Sequence, residues 1–178
     1  ARRSAAMNPI EVTDAGKRYG VVTGYAGVSL SVQPGEMFGL IGPDGAGKTS
    51  LIRCLCTLLQ ADEGGIAVLG HSAATQREEI RSRIGYMPQR FSLYPDLTVQ
   101  QNLTFYARLF DVPRSRRRQR LAELYRFSRL EPFRNRRAGA LSGGMKQKLA
   151  LSCNLVHSPE LLLLDEPTCG VDPVSREE

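Results

Sequence analysis

The eight residues Gly42-Pro43-Asp44-Gly45-Ala46-Gly47-Lys48-Thr49 constrain this chain more than any other stretch. Their glycines let successive backbone N–H groups turn inward, the geometry that cradles phosphate oxygens. The apolar run before them, residues 37–41, suits a strand buried in a parallel sheet. A helix is expected to start near Gly47 and run to about Leu59, with its positive end facing the phosphate. In such a loop Lys48 reaches the β- and γ-phosphates and the Thr49 hydroxyl ligates Mg²⁺. Ser50, next in line, is counted with the loop. A plain glycine-rich turn is the simpler reading. The full pattern, with strand before and helix after, weighs against it.

A second run, Leu161-Leu162-Leu163-Leu164-Asp165-Glu166, is apolar and closed by two acids. On a parallel sheet its carboxyl end opens into the ligand crevice. There Asp165 would hold Mg²⁺ directly or through water. Glu166 would polarise the attacking water as general base. A strand ending in solvated acids is the ordinary alternative, but Pro167-Thr168 and Gly170-Val171-Asp172-Pro173 follow at once.

Between these runs lies Leu141-Ser142-Gly143-Gly144-Met145-Lys146-Gln147. Ser142, Gly143 and Gly144 are expected to open a helix running to about Val156. A hydroxyl, bare backbone donors and a helix N-terminus make an anion site. Capping by Ser142 is real in its own right, but it leaves two glycines in a first turn unexplained.

The three motifs, in this order, resemble those of the ATP-binding cassette (ABC) ATPases. The resemblance implies an α/β fold: a P-loop NTPase (RecA-like) core with an antiparallel β subdomain and an α-helical subdomain. It implies ATP and Mg²⁺ as ligands, with Ser142, Gly143 and Gly144 closing on the γ-phosphate held by a second cassette in a head-to-tail pair. Tyr19 resembles the aromatic that stacks on adenine, and stacking tolerates varied base edges. Gln89, in Tyr86-Met87-Pro88-Gln89, resembles the glutamine that touches Mg²⁺ or the attacking water. The catalytic set is then Glu166, Gln89 and Lys48. The metal set is Thr49, Gln89 and Asp165.

The resemblance covers residues 9–178. It implies a core of 9–89 and 141–178 and a helical subdomain of about 90–140, with 51 residues between Gln89 and Leu141. That interval leaves no room for long coiled-coil insertions. The flavour of residues 141–147 and 170–176 is closest to bacterial ABC-2-type (multidrug-type) exporter ATPases. Such a chain would work on the cytoplasmic face of the cell membrane with transmembrane permease subunits. A soluble ABC ATPase acting on ribosomes or nucleic acid is the alternative, and it would carry a second cassette. Asp44 stands where the family more often has Asn, and Cys169 where it has a small Ser. The family's switch histidine follows Asp165. His71 and His157 both precede it, so the cassette is expected to be incomplete at its C-terminal end.

Composition agrees with a globular domain: 178 residues, 42% hydrophobic and 24% charged. No apolar run reaches bilayer length, and the first seven residues hold no apolar leader core. Cys54, Cys56, Cys153 and Cys169 form no metal-binding spacing and are read as reduced thiols, with Cys54 and Cys56 facing different ways. The net charge of +6 is concentrated in Arg114, Arg116, Arg117, Arg118 and Arg120, followed by Arg134, Arg136 and Arg137. A solvated helix face explains such a run more simply than nucleic acid or anionic lipid, and no aromatics alternate with the arginines. No nucleic-acid partner is expected.

Strands are expected at residues 10–14, 28–32, 66–69 and 83–87, with Tyr19 in a loop between the first two. Helices are expected at 78–83, 98–110, 115–127 and 173–178.

Overall fold

A computed structural model of the chain describes residues 7–89 and 93–167. They form two compact units, one running to Ile84 and the other starting at Gly85.

The first unit is built on a four-stranded antiparallel sheet. Strand β1 (Ile10–Tyr19) lies between β2 (Val22–Val32) and β3 (Glu63–Val68), and the short β4 (His71–Ser72) pairs with β3. Ile10 and Val12 face inward while Glu11 between them is exposed, the period-two alternation of a half-buried strand. A bulge around Asp14, at φ 47°, lets β1 continue well past the expected residues 10–14. Helix α1 (Lys48–Leu55) buries Leu51, Ile52 and Leu55. It ends earlier than expected because Thr57 turns left-handed at φ 59°. Arg81 of helix α2 (Arg77–Arg81) then bonds both the Thr57 hydroxyl, at 2.8 Å, and its carbonyl, at 2.7 Å.

Residues 37–41 are not a strand, which corrects the expectation. Met37 and Ile41 are each 99% exposed. A central strand exists only as part of a ladder. In this unit the ladder is closed among β1–β4, and residues 37–41 make no backbone hydrogen bond to it among the described residues.

The second unit is mainly helical. Strand β5 (Ile84–Met87) pairs with β6 (Leu161–Leu164). Between them come α3 (Val99–Leu109), α4 (Arg114–Ser128), two short 3-10 turns and α5 (Gly143–Leu155). The helices close over a core that includes Leu103, Leu124, Leu130, Leu141, Leu149 and Val156. Helix α3 opens with a reciprocal cap: the Thr98 hydroxyl accepts from the Gln101 N–H, and the Gln101 side chain accepts from the Thr98 N–H. Asn102, fully buried in the same helix, donates to the carbonyls of Tyr94, Leu97 and Thr98 and accepts from the Tyr94 N–H. It thereby fixes the segment leading into α3.

Cys54, Cys56 and Cys153 are in no disulfide, and all three are buried, so the different facing expected of the first two does not expose either. Residues 168–178, with Cys169, the Gly170–Pro173 run and the helix expected at 173–178, lie outside the described residues.

Candidate functional site

In the first unit, the turn of residues 42–47 leads straight into α1. Gly45 and Gly47 have φ of 80° and 85°. A Cβ on Gly47 would clash with the Gly24 carbonyl oxygen of β2, so only glycine fits there. The Lys48 ammonium bends back over the loop and donates to the carbonyls of Gly42, at 2.7 Å, and Pro43, at 2.8 Å. A cation thus sits at the positive end of α1, where an anion is the natural occupant. Gly42 through Ala46 are exposed, and Gly47 through Ser50 are half-buried.

Tyr19 is not in a loop: it is the last residue of β1, paired with Val22. That pairing brings its ring to the same place. The Tyr19 hydroxyl and the Ser50 hydroxyl lie 3.0 Å apart in a hydrogen bond, with Tyr19 45% exposed. Lys17 lies 5.8 Å from the ring centroid and forms an ion pair with Asp62 at 2.8 Å. That pair, strengthened by the Arg18 N–H bonded to Asp62, holds the Asp62 carboxyl below its ordinary range and raises the Lys17 ammonium.

Gly24 lies outside every motif of the sequence, yet it shapes this end of the site. A Cβ on it would lie 2.9 Å from the Tyr19 ring, and its carbonyl is the atom that Gly47 approaches. One glycine thus lets both the aromatic and the phosphate loop lie against β2. Its sequence signal was a glycine inside a strand-forming run, which marks close backbone approach.

In the second unit, β5 and β6 bring their carboxyl ends together. The Asp165 N–H donates to the Met87 carbonyl at 2.9 Å, and Asp165 is buried. Glu166 follows in a left-handed turn at φ 51° and is exposed. The Gln89 Nε2 donates to Glu166 Oε2 at 2.7 Å. The two residues expected to meet the attacking water therefore already touch. Ser142 caps α5: its hydroxyl accepts from the Met145 N–H at 3.3 Å. Ser142 and Gly143 are exposed, so the helix presents its N-terminal end outward, and Gly144 is half-buried.

Tyr19 and Gly42–Ser50 belong to the first unit, and Gln89, Ser142–Gly144, Asp165 and Glu166 to the second. Thr49 offers a hydroxyl oxygen in the first unit, and Gln89 and Asp165 offer amide and carboxylate oxygens in the second, each a hard donor of the kind Mg²⁺ takes. Loop N–H groups and Lys48 suit phosphate. His71 sits between Gln76 and Arg83, and His157 stacks on Phe110 with ring centroids 3.8 Å apart. Among the described residues no helix is long and apolar enough to cross a membrane.

The profile of the ABC transporter family matches residues 25–169. A probable multidrug ABC transporter ATP-binding protein of Escherichia coli K12 is 50% identical over 153 residues, covering 86% of this chain and 26% of that protein. A Nod factor export ATP-binding protein of Burkholderia thailandensis is 41% identical over 168 residues, covering 94% of this chain and 55% of that protein. This chain therefore spans about a quarter of the first relative and about half of the second. Among solved structures, an ATP-binding subunit of an ABC transporter superimposes with a TM-score of 0.84 at 32% identity, covering 94% of this chain and 70% of that one. A dimeric bacterial ABC transporter cassette gives 0.83 at 26% identity, covering 94% and 78%. The fold is thus that of the P-loop NTPase cassettes.

Proposed function

The chain belongs to the ABC transporter family of ATP-binding domains, and from that premise we propose that residues 9–178 form a cassette that hydrolyses ATP to power export. Its core would be residues 9–89 and 141–178, with the helical subdomain at about 90–140. The observation that carries the reading is the exposed glycine loop, with Lys48 turned onto its carbonyls and Tyr19 bonded to Ser50 at its end.

Each residue has a role that follows from its chemistry. Lys48 exchanges the Gly42 and Pro43 carbonyls for β- and γ-phosphate oxygens, which are stronger acceptors because they are charged. The N–H groups of Gly45 to Ser50 surround the same phosphates. The Tyr19 ring offers its face to adenine. Thr49 and Asp165 hold Mg²⁺, which when bound neutralises phosphate charge. Glu166 accepts the proton of the attacking water. Gln89, bonded to Glu166, orients that carboxylate and leaves its amide oxygen for metal or water. Ser142, Gly143 and Gly144 meet the γ-phosphate of a second cassette, and permease subunits turn closing and opening into transport at the cytoplasmic face of the membrane.

Calorimetric titration with Mg·ATP tests the reading. The protein should bind it, and Lys48→Ala should bind about 100-fold more weakly, the loss of about 3 kcal/mol expected for charge-assisted bonds. Unchanged affinity in a folded Lys48→Ala protein would remove the nucleotide site from this loop.

A further inference from the structure

The first turn of α4 is built against the electrostatics of its own helix. It begins at Arg114 after Pro113, contains no acid and carries Arg114, Arg116 and Arg117 at the positive end of the dipole. Arg114 faces Arg117 and Arg118 at spacings of three and four, and Arg116 faces Arg120, so like charges also stack along the helix. Residues 114–137 hold ten arginines against Glu123 and Glu131, eight excess positive charges in a chain whose net charge is +6. The rest of the chain is therefore slightly acidic.

Part of this cluster is spent on the fold. Arg120 donates to the Leu155 and Val156 carbonyls at the C-terminal end of α5 and pairs with Glu123. Arg117 donates to the Val112 carbonyl at 2.8 Å. Arg134 pairs with Glu131, and Arg136 lies over Phe133. Arg114, Arg116 and Arg118 are different. All three are exposed, and none makes a side-chain hydrogen bond or ion pair among the described residues. Asp111 is the acid of the adjoining turn, and Leu109, 59% exposed, is the apolar side chain before it.

We propose that Arg114, Arg116 and Arg118, at the N-terminal end of α4, form a docking surface for an anionic phospholipid bilayer. Guanidinium groups match phosphate in charge and in forked geometry. An anionic surface would relieve both the repulsion among the arginines and their conflict with the helix dipole. Leu109 adds an apolar contact of the kind that a headgroup layer accommodates. Nucleic acid is the poorer fit, since no aromatic side chains are interleaved with the three arginines to stack on bases. The choice of a bilayer rests on the transport reading, but the surface itself does not.

The test uses the full-length protein in co-sedimentation with vesicles of phosphatidylcholine alone or with about a third phosphatidylglycerol, at low and high salt. Binding should need the anionic lipid and fall with salt. Each basic residue near such a surface is worth about fivefold, so R114Q/R116Q/R118Q should bind on the order of 100-fold more weakly. R126Q/R129Q, which alters exposed arginines at the other end of α4, should bind like wild type. The triple variant should also melt no lower than wild type, because it removes repulsion, and should keep its Mg·ATP affinity. That separates this proposal from the nucleotide reading. Equal wild-type binding to neutral and anionic vesicles, or an unweakened triple variant, would overturn it. So would a short DNA duplex held more tightly than the anionic vesicles.

Discussion

In the proposed cassette, single atoms decide whether nucleotide is held and whether it is hydrolysed. Glu166 can act as a base only while its carboxylate accepts a proton, and Gln89 already occupies one of its oxygens. Glu166→Gln preserves shape and Asp165 but removes the acceptor. Hydrolysis should fall by about 100- to 10,000-fold while Mg·ATP affinity holds, measured by steady-state phosphate release beside calorimetry. Near-normal turnover would move the base elsewhere. On the binding side, Gly24 controls Tyr19 through absence. Gly24→Ala puts a methyl 2.9 Å from the ring and should push it off its seat. If Tyr19 stacks on adenine, that variant should lose roughly tenfold in ATP affinity, within the about 1–3 kcal/mol of one stacked base. Tyr19→Ala should lose a similar amount, and the double variant little more, since both remove one interaction. Additive losses would show that Gly24 acts some other way.

Elements were legible where their information is local. The cap at Thr98, the serine at the head of α5 and the stop at Val112-Pro113 are read from neighbouring residues, and the helices begin where those residues say. Residues 37–41 were not legible in the same way. Their apolar run states that a strand is possible, but strand formation depends on partners that the run does not contain. Asn102 lies on the apolar stripe of α3, with Val99 and Leu103, and a polar residue there was the unread sign of a buried network. Its four bonds serve backbone groups of residues 94–98, which sequence alone does not connect to it. Asn102→Ala would take the Tyr94 N–H from its acceptor and empty a fully buried polar position, while the three carbonyls keep one backbone N–H each. It should cost about 3 kcal/mol in a urea melt. Thr98→Ala, which removes only an exposed cap, should cost about 1 kcal/mol. Reversed magnitudes would mean that the network is satisfied by water.

At the scale of the whole molecule, the proposed site is one that a single cassette leaves unfinished. Helix α5 presents its N-terminal end outward, with Ser142 and Gly143 exposed. Such an end favours one anion, and in the proposed head-to-tail pair that anion is the partner's γ-phosphate. Gly143→Asp is the discriminating variant. An aspartate in the first turn favours the helix dipole, so α5 should be no less stable. Toward an incoming phosphate the same carboxylate is a like charge, and its side chain also blocks a close backbone approach. Each monomer should therefore bind Mg·ATP within about twofold of the parent, since its own loop is untouched. In a Glu166→Gln background, where the ATP-bound pair should accumulate, ATP-driven dimerisation should fail in sedimentation velocity. Gly143→Ala, which adds bulk without charge, should weaken the pair by less. If Gly143→Asp still dimerises with ATP, the end of α5 does not face a partner's phosphate. If it dimerises poorly but also loses nucleotide binding, the helix serves the cassette's own site and the head-to-tail reading fails.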